Sequence, residues 1–119
     1  MSMDAYKNFV ITAARVLHDA NVAHTISAVI VINFEGLPEL DGMLGYDEVD
    51  ETLAKLVSKV SNALDSTDVV GAGGRYQICC LLPDLLTPAH AQLAAHKLLR
   101  LLTPAISVKD RRVSLLPRI

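Results

Sequence analysis

The side chains of this chain that could hold a metal, grip a phosphate or act as a nucleophile fall into a few groups. Its histidines come in pairs, His18 with His24 and His90 with His96, each pair six residues apart. Ligands on a helix need spacings of three or four to share a face, so these read as exposed or capping residues. Cys79 and Cys80 are adjacent inside an apolar run. That placement suits buried, reduced thiols and not a disulfide framework. The acidic run Asp47 to Glu51 matches the chemistry of a helix start, where carboxylates meet the positive end of the dipole. Lys109-Asp110-Arg111-Arg112 is too short and interrupted for a phosphate-binding patch and reads as a solvated turn. The remaining stretch, Asp68 to Pro83, carries Gly73-Gly74 between the apolar runs Val69-Val70 and Ile78 to Leu82. It predicts a β-hairpin turning at Gly73-Gly74, because glycine takes positive φ without steric cost.

The elements that must position these residues follow from periodicity. Asp4 to Ala23 has apolar residues at Tyr6, Phe9, Val10, Ala13, Val16, Leu17 and Ala20, the spacing of a helix with one buried face, with Asp4 as N-cap. Ile26 to Ile32 is almost continuously β-branched and predicts a central strand covered on both faces, or at least heavily buried. Between Gly36 and Gly45, frequent breakers leave room for only a short helical turn. A long helix follows, capped by Asp47, with Val49, Leu53, Leu56, Val57, Val60 and Leu64 as its stripe. Thr87-Pro88 begins another helix, a hydroxyl N-cap followed by proline in the first turn, and Pro104 stops it. Its stripe is Ala91, Ala94, Leu98, Leu101 and Leu102. Ala105 to Val108 and Arg112 to Leu116 form a second hairpin around the charged turn. The expected fold is α+β: a ferredoxin-like βαββαβ core, an antiparallel sheet with helices on one face, plus an N-terminal helix.

A chain of 119 residues fits a single domain. Its formal charge of −2 offers no electrostatic footprint for nucleic acid. No apolar run approaches the ~20 residues of a membrane span, and no secretory signal is visible. A cytoplasmic location is expected.

The hairpin resembles the signature of GGDEF domains, the diguanylate cyclases and their degenerate relatives. Their pattern is Asp, two apolar residues, x, Arg, x, then Gly-Gly-Asp/Glu-Glu-Phe, an apolar run and often Pro. Laid without gaps on Asp68 to Pro83, the signature becomes Gly74-Arg75-Tyr76-Gln77-Ile78. The resemblance runs from about Phe9 to Ile119. The family's segment Asp-x-Asp-x-Phe-Lys-x-Ile-Asn-Asp-x-x-Gly-His-x-x-Gly-Asp falls on Asn33 to Asp50, with Gly45 and Asp50 retained and Leu37 and Leu40 still apolar. The alanine-rich helix ending in Leu-x-x-Pro-Phe before a hairpin falls on Ala89 to Ile106.

The resemblance implies a chemistry that this chain lacks the groups to perform. Active members condense GTP into cyclic di-GMP across an antiparallel dimer, using Mg²⁺. Magnesium wants oxygen ligands, mostly carboxylates and substrate phosphates. The family's metal positions fall here on Asn33, which is neutral, and Tyr76, which is protonated at neutral pH. Aligning Gly73-Gly74 with the family's glycines instead puts Arg75, a fixed cation, at the second position. The catalytic acid is replaced by Gln77, and the phosphate-binding lysine by Pro38. A vestige of nucleotide binding remains in Asp41, Asp50 and Gly74. Asp41 stands where the family has asparagine, and a carboxylate accepts hydrogen bonds from a guanine edge without donating any. The inhibitory product site needs Arg-x-x-Asp, and reads Asp65-Ser66-Thr67-Asp68 here.

The expectation is therefore a single partial GGDEF-like domain over residues 1–119, truncated at both ends, with no catalytic residues, no metal and no cofactor. It would serve as a regulatory or interaction module of a bacterial cyclic di-GMP signalling protein. An EAL or sensor domain in the parent chain and a homodimer are the implied partners; nucleic acid and membrane are not. A GTP sensor without turnover, and a residual diguanylate cyclase, are the alternatives.

Overall fold

The computed structural model describes residues 3–23, 25–104, 106–108, 111–113 and 117–118. The β-branched run becomes β1 (Ile26–Phe34), and the glycine-rich stretch becomes the hairpin β2 (Val69–Gly74) and β3 (Gln77–Leu85). β1 pairs antiparallel with β3 on one side and with β6 (Pro117–Arg118) on the other, giving the order β2-β3-β1-β6. The second hairpin forms as β4 (Ile106–Val108) and β5 (Arg111–Val113), but stands as a separate two-stranded sheet. Thus β6, not a strand of that hairpin, lies beside β1. Lys109, Asp110 and residues 114–116 lie outside the described residues, as do residue 24 and the side chains of Tyr6 and Ala20.

One face of this sheet holds the core. Ile30, Ile32 and Phe34 of β1 meet Ile78, Cys80 and Leu82 of β3 and Ala72 of β2, under helices α2 (Leu37–Leu44), α3 (Tyr46–Ala63) and α4 (Pro88–Leu102). α3 contributes Val49, Leu53, Leu56 and Val60; α4 contributes Leu98 and Leu102. Each such side chain taken fully out of water supplies about 1.5–3 kcal/mol, which an aliphatic core needs.

The other face is only partly covered. Gly71 lies in register with Cys79, and Cys79 with Val31, so these share the face opposite the core. A Cβ at Gly71 would come within 2.9 Å of Phe9, which places α1 (Met3–Ala23) against that face at the β2 edge. Leu81, beneath it, is fully buried. Val29, paired with Leu81, is 60% exposed and Val31 is 38% exposed. β1 is therefore covered on one face only. Its β-branched residues reflect a preference for pleated backbone as much as burial.

Local chemistry explains the other departures. α2 runs for eight residues, where only a turn was expected. Pro38 suits its first turn, Leu37 and Leu40 are buried, and Gly42 faces open space. Gly45 ends it with φ 91°, donating its N–H to the Asp41 carbonyl at 2.9 Å. The same residue precedes α3, so Asp47 lies in the first turn and is not the cap. Met3 begins α1, so Asp4 likewise lies inside its helix. Thr87 precedes α4 in extended conformation and Pro88 opens it, as the sequence predicts, but the Thr87 hydroxyl makes no capping hydrogen bond.

Candidate functional site

The end of β1 and the tip of the β2–β3 hairpin meet beside α2 and the start of α3. The register sets Asn33 opposite Gln77, and Gln77 opposite Gly74, in one row across the strands. Phe34 N–H donates to the Tyr76 carbonyl at 3.0 Å, tying the hairpin tip to β1. Gln77 Nε2 then donates to Asn33 Oδ1 at 2.6 Å. The structure thus brings together two of the positions singled out from sequence, as a pair of neutral amides.

The hairpin turns at Arg75-Tyr76, between Gly74 and Gln77. Gly73 is not a turn residue; it sits at a bulge between Ala72 and Gly74. Its missing side chain matters for closeness: a Cβ there would overlap Cys79 Sγ. Among the described residues Gly45 is the glycine with positive φ. Of the remaining signature positions, Ile78 points into the core and is fully buried.

The turn residues reach across to α2. Arg75 forks the Asp41 carboxylate, Nη2 to Oδ1 at 2.9 Å and Nη1 to Oδ2 at 2.8 Å. Tyr76 donates its hydroxyl to Asp41 Oδ2 at 2.7 Å. The Arg75 guanidinium lies 4.0 Å from the centroid of the Tyr46 ring, at the start of α3. Arg75 Nε is buried with no acceptor among the described residues. The hydrogen bond to Asp41, reinforced by burial and by the carboxylate's charge, holds the Tyr76 phenol above its ordinary value of 10.0. It stays a protonated donor.

Asp50, half-buried on α3, lines a cavity of about 780 Å³ between α1, α3 and β2, together with Phe9, Leu53, Val57 and Asp68. Asp65 and Asp68 close a tight turn, each backbone N–H bonding back at 3.0 Å, to the Asp68 carboxylate and the Asp65 carbonyl respectively. Burial, and secondarily the charge of Asp65, push the Asp68 carboxyl up. The exposed His18, His90 and His96 share no metal-type cluster, and no three His, Cys, Asp or Glu side chains among the described residues come together as one.

The donor set at the hairpin does not fit Mg²⁺. A hard cation wants ionised oxygens, and here the candidates are two amides bonded to one another and a phenol pushed further toward its neutral form. Tyr46 escaped the sequence reading. Its only signal is an aromatic directly after the Gly45 break, and its partner Arg75 lies far along the chain.

The sequence matches no family model and no curated protein. Solved structures do match. The GGDEF domain of YfiN (TpbB) from Pseudomonas aeruginosa is 27% identical with a TM-score of 0.75, over 84% of this chain and 63% of that one. The FimX GGDEF domain from Pseudomonas aeruginosa is 19% identical with a TM-score of 0.81, covering 94% and 69%. An EAL/GGDEF domain protein from M. capsulatus is 18% identical with a TM-score of 0.68, covering 85% and 68%. The chain spans 63% and 59% of the length of the two YfiN structures it matches. Strand order and these likenesses define an α+β domain with the fold of the GGDEF domains. The chain is a GGDEF-like domain. No helix among its described residues is long and apolar enough to cross a membrane.

Proposed function

We propose that this domain has lost cyclase chemistry and acts as a regulatory or interaction module in a cyclic di-GMP signalling protein. The observation that carries the reading is the Gln77–Asn33 amide pair at 2.6 Å. The positions that the family resemblance gives to a metal ligand and a catalytic acid are bonded to each other. Neither can ionise to hold Mg²⁺ or take a proton from an attacking hydroxyl. Tyr76, at the other metal position, spends its hydroxyl on Asp41. Asp65 and Asp68, in place of an Arg-x-x-Asp pair, repel an anionic dinucleotide. A location in the cytoplasm goes with this role. The EAL/GGDEF protein of M. capsulatus has this fold beside an EAL domain by description, which supports an EAL or sensor domain as the partner in the parent chain. A homodimer in the manner of the cyclases is a further arrangement that the family resemblance implies.

The module reading and a GTP sensor part ways in a melting experiment. A ligand at ~100 times its dissociation constant stabilises a protein by about 2.7 kcal/mol, roughly ten degrees for a domain of this size. With ~1 mM Mg-GTP the expected shift is below about two degrees. A guanine-specific shift of several degrees, lost in Asp50→Ala, would replace the module with a sensor.

A further inference from the structure

The cavity of about 780 Å³ between α1, α3 and β2 touches every residue from 66 to 72. Successive residues of a strand point to opposite faces, so a cavity over one face would touch alternate residues only. This one therefore runs along the outer edge of β2. Gly71 faces α1, where Phe9 lies against it, while Val70 and Ala72 face the core that α3 shares. Among the described residues β2 pairs with β3 alone, and no strand lies beside its other edge. An open edge presents alternate backbone N–H and C=O groups to whatever lies next to it. Proteins commonly guard such an edge with lysine or proline, and β2 contains neither. The bulge at Gly73 limits the regular part of the edge to residues 69–72.

The walls and the charge of this slot select its occupant. Phe9 and Val16 line it from α1, and Leu53 and Val57 from α3. Apolar side chains alternating along an added strand would thus meet a wall on either side. The charged residues lining the slot are Asp50 and Asp68, with no lysine, arginine or histidine among the described ones. Burial already pushes the Asp68 carboxyl up, and a cation beside it would favour its charged form. Asp41 and Gly74, the rest of the nucleotide vestige, do not line the slot. We propose that the outer edge of β2 takes an extended peptide of a partner protein as an added strand, with a lysine or arginine of that peptide held by Asp50 and Asp68. The proposal rests on the module reading above and names the chemistry of the module's partner.

A display library of random peptides, roughly seven residues long, is selected on the whole chain. Enriched peptides should carry a basic residue within an alternating apolar pattern. The most enriched one, made synthetically, is titrated by fluorescence anisotropy in three forms: unaltered, with glutamate for its basic residue, and with alternate backbone nitrogens methylated in either register. Glutamate, and methylation in one register, should each weaken binding at least about tenfold. Asp50→Asn and Asp68→Asn, checked by melting curves, should each weaken the unaltered peptide about fivefold. Amide hydrogen exchange within residues 69–72 of the wild type should slow when the peptide saturates it. The altered peptides are read on the wild type, so they decide even if a variant fails to fold. No enrichment, enriched peptides without a basic residue, or undiminished binding of both methylated forms would overturn the proposal. So would phenethylamine binding as tightly as the peptide, which would make the slot a pocket for a compact cation. A dimer of the chain that protects the same amides without peptide would give the edge to a second copy, and overturn it too. Those failures leave the module reading intact, whereas cyclic di-GMP made from Mg-GTP would remove that reading.

Discussion

Replacing adjacent residues of β1 separates its two faces. Ile32 is fully buried beside Ile78, whereas its neighbour Val31 keeps 38% of its surface. Ile32→Ala removes buried methyl and methylene groups and leaves a cavity that α3 and α4 cannot close, a loss of about 2–5 kcal/mol. At roughly 3–5 °C per kcal/mol for a domain of this length, its melting point should fall by about 6–25 °C. Val31→Asp puts a charge where water already reaches, and should cost within about 1 kcal/mol. Urea unfolding followed by circular dichroism gives both free energies from unchanged m-values. If Val31→Asp proved as damaging as Ile32→Ala, the second face of β1 would be covered, and the one-sided sheet described above would be wrong.

Gly71→Ala places a methyl group within 2.9 Å of Phe9, and should destabilise by about 1–3 kcal/mol. Phe9→Ala in the same chain should recover most of that loss; no recovery would mean that α1 does not rest on β2. Cys80 carries a thiol that burial pushes up to about 12 from its ordinary 9.0. Between those values the unfolded chain gives up a proton that the folded chain retains, so the thiol's contribution is complete below pH 9 and lost toward 12. Unfolding free energies from denaturant titrations should fall by up to about 1.4 kcal/mol per pH unit above 9 from this group. Cys80→Ala should flatten that slope, and an unchanged slope would assign it elsewhere.

Much of the architecture could be read from local signals because those signals are local. Thr87-Pro88 opens α4, the β-branched run becomes β1, and the stripe from Val49 to Val60 becomes the buried face of α3. What sequence misjudged depends on what lies across space. Val29 and Val31 look like buried residues until α1 is seen to lie mainly over β2 and β3 and to leave these two side chains of β1 exposed. Gly73 resembles a turn residue, yet it is glycine because Cys79 approaches it, and Cys79 arrives on the returning strand. The sequence singles out Asn33, Tyr76 and Gln77, and the sheet register brings Asn33 to Gln77. That Asp41 would spend its carboxylate on Arg75 and Tyr76 was not legible, since those partners stand 34 and 35 residues away. Periodicity carries no information about pairs at such separation.

The central claim is the loss of cyclase chemistry, and product formation tests it most directly. Purified protein incubated with Mg-GTP, at concentrations high enough to favour any dimer, is analysed by chromatography for cyclic di-GMP beside a sample without protein. No product above that blank is expected, because Asn33 and Gln77 are neutral amides bonded to one another and Tyr76 remains a protonated phenol. Cyclic di-GMP accumulating in proportion to protein would contradict it.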